Sequence, residues 1–340
     1  VFPNKDSLMY DFKYANWAKN ELKKNHNSPF FMAVGFIRPH VPWYTPKKWF
    51  DLYPIEDISF PKYDPNDYND LPQIAKDIAH RGMMPTTDWA IKNGEWKYII
   101  QAYLACVSFV DHQVGLVLSA LEKSIHKENT IIVLWSDHGY EMGEKGTFGK
   151  HTLWSESTRV PLMIKLPGMK GGKKINNPVE LLDLYPTLLD LTNLTKNPLN
   201  EGKSLVSLIN GKTEDSRLAI TTYGMNNHSL INQTHRYIKY EDGSEELYDI
   251  INDPYQSKNL LINNKVYNKS DNYLELVNVL NKWIAETDDD LPKELTKDWY
   301  LRKQKPFNES SNLKTEYHGV RGQMPGSSLN AVKNNNKGPF

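Results

Sequence analysis

A handful of polar residues stand at the ends of apolar runs in this chain, and their types suit the handling of a charged group. Asp137 and His138 stand in Ser136-Asp137-His138-Gly139, which ends the run at 131–135, inside TIIVLWSDHGYEMGEKGTFGK. Lys150 closes the Gly-rich loop that comes next, and His151 follows it. His40 sits between two prolines in Arg38-Pro39-His40-Val41-Pro42-Trp43, just beyond the apolar stretch at 29–36. A carboxylate beside an imidazole can hold a cation, a fixed lysine can hold an anion, and an imidazole near neutrality can carry a proton. A plainer reading has Asp137 capping the next segment and His138 packing in the loop, and the four residues at 136–139 alone leave both open.

The elements that must position these residues follow from periodicity. A short apolar run bounded by turn residues predicts a buried strand at 131–135, and PFFMAVGF at 29–36 predicts another. Ligands of open α/β sheets bind beyond the carboxyl ends of such strands, which is where Asp137 and His40 fall. Flanking prolines hold His40 in a rigid turn, which is also what a purely structural histidine would show. Helical spacing at 7–24 and, most strongly, at 95–123 predicts two helices, the second with Ile100, Leu104, Val107, Val110, Val114, Val117 and Leu121 as its stripe. Cys106 in that helix reads as an inert core residue, and Asp111 and His112 as exposed or caught in a local hydrogen bond. The strand–helix–strand order favours a parallel sheet. Residues 51–94 read as loop, 159–166 as a further strand, and Asp183 as the cap of a helix through Leu191. From about Arg217 the pattern changes to short strands at 218–223, 236–240 and 246–250, the last two joined by a Glu241-Asp242-Gly243-Ser244 turn, then a helix at 273–285. Beyond 292 the tail is polar and aperiodic.

Composition narrows the function classes. The 340 residues suit one large α/β domain with a smaller appendage. Lys+Arg and Asp+Glu both total 41, so net charge points to neither nucleic acid nor an acidic surface as partner. A single cysteine excludes an internal disulfide framework and a Cys-based zinc site. No run of the sequence reads as a membrane span.

Several ordered motifs together carry a resemblance. RPHVPW at 38–43, SDHG at 136–139, GKHTLW at 149–154, QAYLACVSFVDHQVG at 101–115, RVPLMIKLPG at 159–168 and ELYDIINDPYQSKNL at 246–260 resemble the sulfatases, closest to their iduronate-2-sulfatase-like branch. The resemblance spans most of 7–290. It implies an alkaline-phosphatase-like fold, α/β, with a large mixed, mostly parallel sheet flanked by helices and a small C-terminal antiparallel sheet with a helix. It implies hydrolysis of a sulfate ester by a formylglycine nucleophile, with one divalent cation, Ca2+, on the sulfate oxygens. By the same resemblance Asp137 and His138 match metal ligands, Lys150 a sulfate-contacting lysine, and His40 a histidine that binds sulfate or assists the leaving oxygen. His151 and His228 are further candidates for substrate binding, and Trp43, Tyr44 and Trp154 for stacking on sugar rings. A sulfated carbohydrate is the expected substrate, and a periplasmic or extracellular location goes with the family.

One departure is sharp. The nucleophile motif C/S-x-P-x-R is absent, since Ala105-Cys106-Val107-Ser108-Phe109 has neither its proline nor its arginine. The paired aspartates of the family's leading strand, the other half of the metal site, are absent too. The chain is therefore expected to be the C-terminal portion of a sulfatase, inactive alone, with formylglycine upstream of Val1. The expected division is 1–215 for the α/β part, 216–291 for the small antiparallel unit and 292–340 for the tail. A phosphodiesterase or phosphatase of the same superfamily, or a catalytically dead relative that binds sulfated glycans, are the alternatives.

Overall fold

The computed structural model describes residues 3–80, 84–212, 216–224, 226–262 and 270–287. The expected tail at 292–340 lies outside them. In chain order the helices are α1 (Tyr10–Glu21), α2 (Lys47–Phe50), α3 (Gln73–Ala79), α4 (Thr87–Lys92), α5 (Trp96–Glu122), α6 (Ser155–Thr158), α7 (Leu184–Leu191), α8 (Val206–Ile209) and α9 (Asp271–Thr287). The strands are β1 (Ile132–Trp135), β2 (Glu141–Met142), β3 (Phe148–Gly149), β4 (Leu162–Lys165), β5 (Ala219–Thr222), β6 (His228–Ile231), β7 (His235–Lys239) and β8 (Glu245–Asp249).

Helix α5 organises the larger part. It packs against α1 and α2 and buries Ile99, Ala102, Ala105, Cys106, Phe109 and Gln113. This seam lies beside the stripe read from the sequence, whose valines end up half-buried on its flanks. By length and composition α5 would pass for a membrane span, contrary to the sequence reading, and one side of it is packed against α1 and α2. The alanines buried by α1 and α5, among them Ala15, Ala18, Ala102 and Ala105, let the two helix backbones approach closely. The Cys106 thiol is enclosed and pushed up to about 12 by burial, so it is inert as expected. In α1 Trp17 faces out, while Asp11 lies on the buried side with Ala15, Ala18 and, just past the helix end, Leu22.

The expected parallel pairing is not among the ladders of the described residues. β1 pairs with β4, antiparallel, in the register Ile132↔Lys165 to Trp135↔Leu162. The stretch 29–36 lies between α1 and the His40 loop and joins no ladder among the described residues. An extended segment becomes a strand only when a neighbour takes up its N–H and C=O groups. Phe31 and Trp135 are accordingly exposed where a filled sheet would cover them. The region at 51–94, read as loop, contains the short helices α3 and α4.

The smaller sheet has the order β5-β6-β7-β8, antiparallel throughout. β6 was not foreseen. Gly243, at φ 83°, makes the turn between β7 and β8 where the sequence placed it. Leu276 and Leu280 of α9 close one face of the sheet against Leu230, Tyr237 and Leu247. The other face packs on α3 and on Leu153 and Trp154 of the larger part. Asp183 precedes α7 as expected, yet its carboxylate is turned to the buried guanidinium of Arg217, 2.7 Å away.

Candidate active site

His40 sits on a loop whose backbone is almost fully engaged. Its N–H donates to the Ile37 carbonyl (2.9 Å), and the Trp43 indole N–H donates to the Pro39 carbonyl (2.6 Å). Arg38, itself buried, donates from Nη1 to the His40 carbonyl (2.8 Å) and lays its guanidinium over the Tyr44 ring at 4.2 Å. Both Arg38-Pro39 and Val41-Pro42 are cis. The His40 Nδ1 lies 2.6 Å from the Val41 carbonyl. A carbonyl only accepts, so the proton belongs on Nδ1, and Nε2 is the nitrogen presented by this exposed ring.

Asp137 and His138 come one residue after the end of β1, where the strand reading put them. His138 repeats the arrangement at His40, with Nδ1 2.7 Å from the Gly139 carbonyl and Nε2 3.5 Å from Asp137 Oδ2. The Asp137 carboxylate also takes the His138 N–H at 3.0 Å, and its side chain is exposed. Gly139 is required by close approach: a Cβ there would lie 1.9 Å from the Glu156 carbonyl oxygen. Its N–H donates instead to the Ser157 carbonyl (2.8 Å).

The β2–β3 hairpin returns the chain to Lys150. Its turn is pinned by Trp96 Nε1 donating to the Met142 carbonyl (2.8 Å), Thr87 Oγ1 to the Gly143 carbonyl (2.9 Å) and Tyr68 OH to the Lys145 carbonyl. Tyr140, at the hairpin's start, meets the Trp43 ring edge-on at 5.5 Å, so the loops carrying His40 and His138 are packed on one another. Lys150 is half-buried and makes no hydrogen bond or ion pair among the described residues, which leaves its ammonium available to an anion.

Beneath the hairpin lies a polar layer that the sequence did not signal. Glu141 is fully buried and accepts from Thr152 Oγ1 (3.0 Å) and Ser157 Oγ (3.3 Å). Burial, reinforced by the charge of Glu144, pushes its carboxyl up to about 8. Glu246 of β8, equally buried, accepts from Trp154 Nε1 (2.8 Å), Tyr240 OH (2.7 Å) and Tyr248 OH (2.6 Å). Arg236 of β7 reaches the Leu153 carbonyl (3.1 Å) and Ser155 Oγ (3.4 Å). The small sheet thus grips the segment that leaves Lys150.

Other expected residues fall elsewhere. His228 is buried inside the small unit, bonded to Thr222 Oγ1 (2.9 Å), with its ring 5.2 Å from that of Trp283. Burial holds it down at about 4, so it is a neutral core residue and not a pocket-facing one. Trp43 and Trp154 are 1% and 2% exposed and cannot stack on a sugar. Their indole N–H groups found partners within the protein, which is why large amphipathic rings could be taken inside. Tyr44 is half-buried beneath Arg38. His151 is exposed, with its ring 5.7 Å from that of Tyr223 on the small unit.

Asp137 and His138 offer two donors at one point. Calcium takes six or more oxygens, and no third acidic, histidine or cysteine side chain joins them in a metal-binding group among the described residues. The residues present therefore fit part of a cation shell and do not complete one.

A family model described as Sulfatase matches residues 3–194, and one described as N-sulphoglucosamine sulphohydrolase, C-terminal, matches 143–286. A sulfatase of Formosa agariphila is 51% identical over 290 residues, covering 84% of this chain and 57% of that protein. Iduronate 2-sulfatase of Mus musculus is 35% identical over 212 residues, covering 52% of this chain and 38% of the relative. Among solved structures, a 2-O GAG sulfatase superposes with a TM-score of 0.65 at 26% identity, covering 85% of this chain and 66% of the other. The chain spans about half the length of the curated relatives it matches.

Proposed function

The chain belongs to the sulfatase family, with its alkaline-phosphatase-like fold, and on that premise we propose that it furnishes the sulfate- and cation-holding half of a sulfuric ester hydrolase. The proposed substrate is a sulfated sugar or polysaccharide, in the manner of the iduronate-2-sulfatase-like branch, met in the periplasm or outside the cell. The observation that carries the reading is the ammonium of Lys150, unpaired among the described residues, at the end of the hairpin that begins beside Asp137 and His138. A sulfate ester keeps its charge on non-bridging oxygens, which a fixed ammonium can hold without being consumed. A bound divalent cation, Ca2+ by family, would withdraw further charge from those oxygens. Asp137 and the Nε2 of His138 would be two of its ligands, and the rest must come from residues outside this group. His40, with its proton on Nδ1, has Nε2 free to bring a second proton to the leaving oxygen. His151, on the rim beside Tyr223, is proposed to touch substrate.

The attacking formylglycine has no source within residues 1–340, which contain no C/S-x-P-x-R. We therefore expect the chain to bind sulfate without turning over its esters. Titrating residues 1–340 with inorganic sulfate and Ca2+ by calorimetry, alongside assays on an aryl sulfate and a sulfated disaccharide, tests this. Binding without turnover supports the reading. Robust hydrolysis by the chain alone, or absence of any sulfate binding, overturns it.

A further inference from the structure

We propose that Asp11 and Arg38 are positioning residues for His40, an inference that rests on reading His40 as the proton carrier of the sulfate site. Asp11 is 1% exposed, on the face of α1 that packs inward. A carboxylate so deeply buried needs compensation, and among the described residues it forms no ion pair. Its partners are instead two backbone N–H groups, those of Ile37 and Arg38 (3.3 Å), both entering the loop that carries His40. The carboxylate has turned away from its own helix to fix the near shoulder of another segment.

Arg38 fixes the far shoulder. Its backbone N–H is held by Asp11, while its guanidinium, clamped over Tyr44, donates to the His40 carbonyl. With the His40 N–H on the Ile37 carbonyl, the peptide units on both sides of the imidazole are tied down. Held so, the ring reaches the Val41 carbonyl with Nδ1, and Nε2 is the atom left facing outward. Neither positioning residue needs to touch substrate. Together they decide which ring nitrogen the loop presents, and where.

The experiment reads the ring itself. Residues 1–340 labelled with 15N-histidine are compared as parent, Asp11→Ala, Asp11→Asn and Arg38→Met, using imidazole 15N shifts and amide hydrogen exchange. In the parent, His40 is expected as a single Nδ1–H tautomer. Asp11→Ala should speed exchange at Ile37 and Arg38 by about tenfold or more, the scale of a lost hydrogen bond to a charged group. The same variant should convert His40 into a tautomer mixture while His138 keeps its own tautomer. Asp11→Asn, which retains an accepting oxygen, should fall between. A variant that lowers the unfolding midpoint yet leaves the His40 tautomer and the local exchange unchanged would overturn the proposal, since a merely structural residue behaves that way. Should Asp11→Ala fail to fold, Arg38→Met removes the bond to the His40 carbonyl and decides by the same two readouts. No sulfate ester enters these measurements, so loss of the sulfatase reading, seen as no sulfate binding by the parent, is distinguishable from loss of this one.

Discussion

Glu141 and Gly149 are register partners across the two-residue ladder of β2 and β3, and Met142 and Phe148 form the other pair. Continued by one residue, that register sets Lys150 opposite Tyr140, three residues beyond Asp137. A sequence separation of thirteen residues between carboxylate and ammonium is thereby folded back on itself. The same Glu141 reaches down to Thr152 and Ser157, fastening the chain on both sides of Lys150.

The burial of Glu141 predicts a pH dependence of stability. Its carboxyl sits at about 8 when folded, against an ordinary 4.5, so the folded form holds the proton more tightly. Its contribution is full below about 4.5 and is lost as pH rises to about 8. His228 works in the opposite sense. Lowered by burial to about 4 from 6.5, it contributes fully above 6.5 and loses that contribution as pH falls. Above pH 6.5 only Glu141 of the two still changes, so the urea midpoint should fall from pH 6.5 to 8. The slope is at most about 1.4 kcal/mol per pH unit for one proton. Glu141→Gln should flatten that limb; an unchanged limb in the variant would count against the assignment.

Two glycines ten positions apart in the same hairpin region, Gly139 and Gly149, should respond differently to alanine. Gly139→Ala drives a Cβ into the Glu156 and Arg159 carbonyl oxygens, neither of which can rotate away. A loss of roughly 3 kcal/mol or more is expected in urea unfolding, with the strand-end loop displaced. Gly149→Ala meets nothing within 4 Å and should stay within about 1 kcal/mol of the parent. Equal losses at the two positions would contradict the packing described.

Glu246→Ala leaves the Trp154, Tyr240 and Tyr248 donors buried without their acceptor. The expected cost is on the order of 3 kcal/mol, measured by denaturant midpoint. Glu246→Gln keeps one accepting oxygen and should lose less. If both variants matched the parent, the seam between the small sheet and the larger part would not have the role given to it.

Lys150→Met should separate binding from stability. Lys150 has no partner among the described residues, so its unfolding midpoint is expected within about 0.5 kcal/mol of the parent. Its sulfate affinity should drop by about tenfold, as one charge-assisted contact is removed. A large fall in the midpoint with sulfate binding intact would reverse the two roles.

How much of this could be read beforehand depended on the reach of each interaction. Local signals served well: β1 ends where Ser136-Asp137 begins, the Asp242-Gly243 turn joins β7 to β8, and His40 is held between its prolines. The family and fold class followed from ordered motifs and are matched by the comparisons. Interactions set by distant partners were not legible. Trp43 and Trp154 looked like sugar platforms because a sequence does not disclose that Pro39 and Glu246 satisfy their N–H groups. His228 read as a pocket residue because its turn to the core depends on α9. Residues 29–36 carry strand character but join no ladder among the described residues, because pairing belongs to the neighbour and not to the segment. Asp11 did leave a trace. A lone carboxylate in step with Ala15, Ala18 and Leu22 is a polar residue on an apolar face, which asks where its bonds go.

Lys145 has a consequence for how the small sheet is held. Its ammonium, 3% exposed, pairs with Asp67 at 2.9 Å, donates to the Gln256 carbonyl and lies 5.4 Å from the centres of the Trp154 and Tyr248 rings. Those partners come from four separate stretches, on both sides of the seam. Swinging the small sheet away would strand a charge in an apolar gap, at a cost of several kcal/mol. The two parts are therefore riveted and not hinged: the small sheet keeps its place on the larger part, and the segment that leaves Lys150 keeps its place with it.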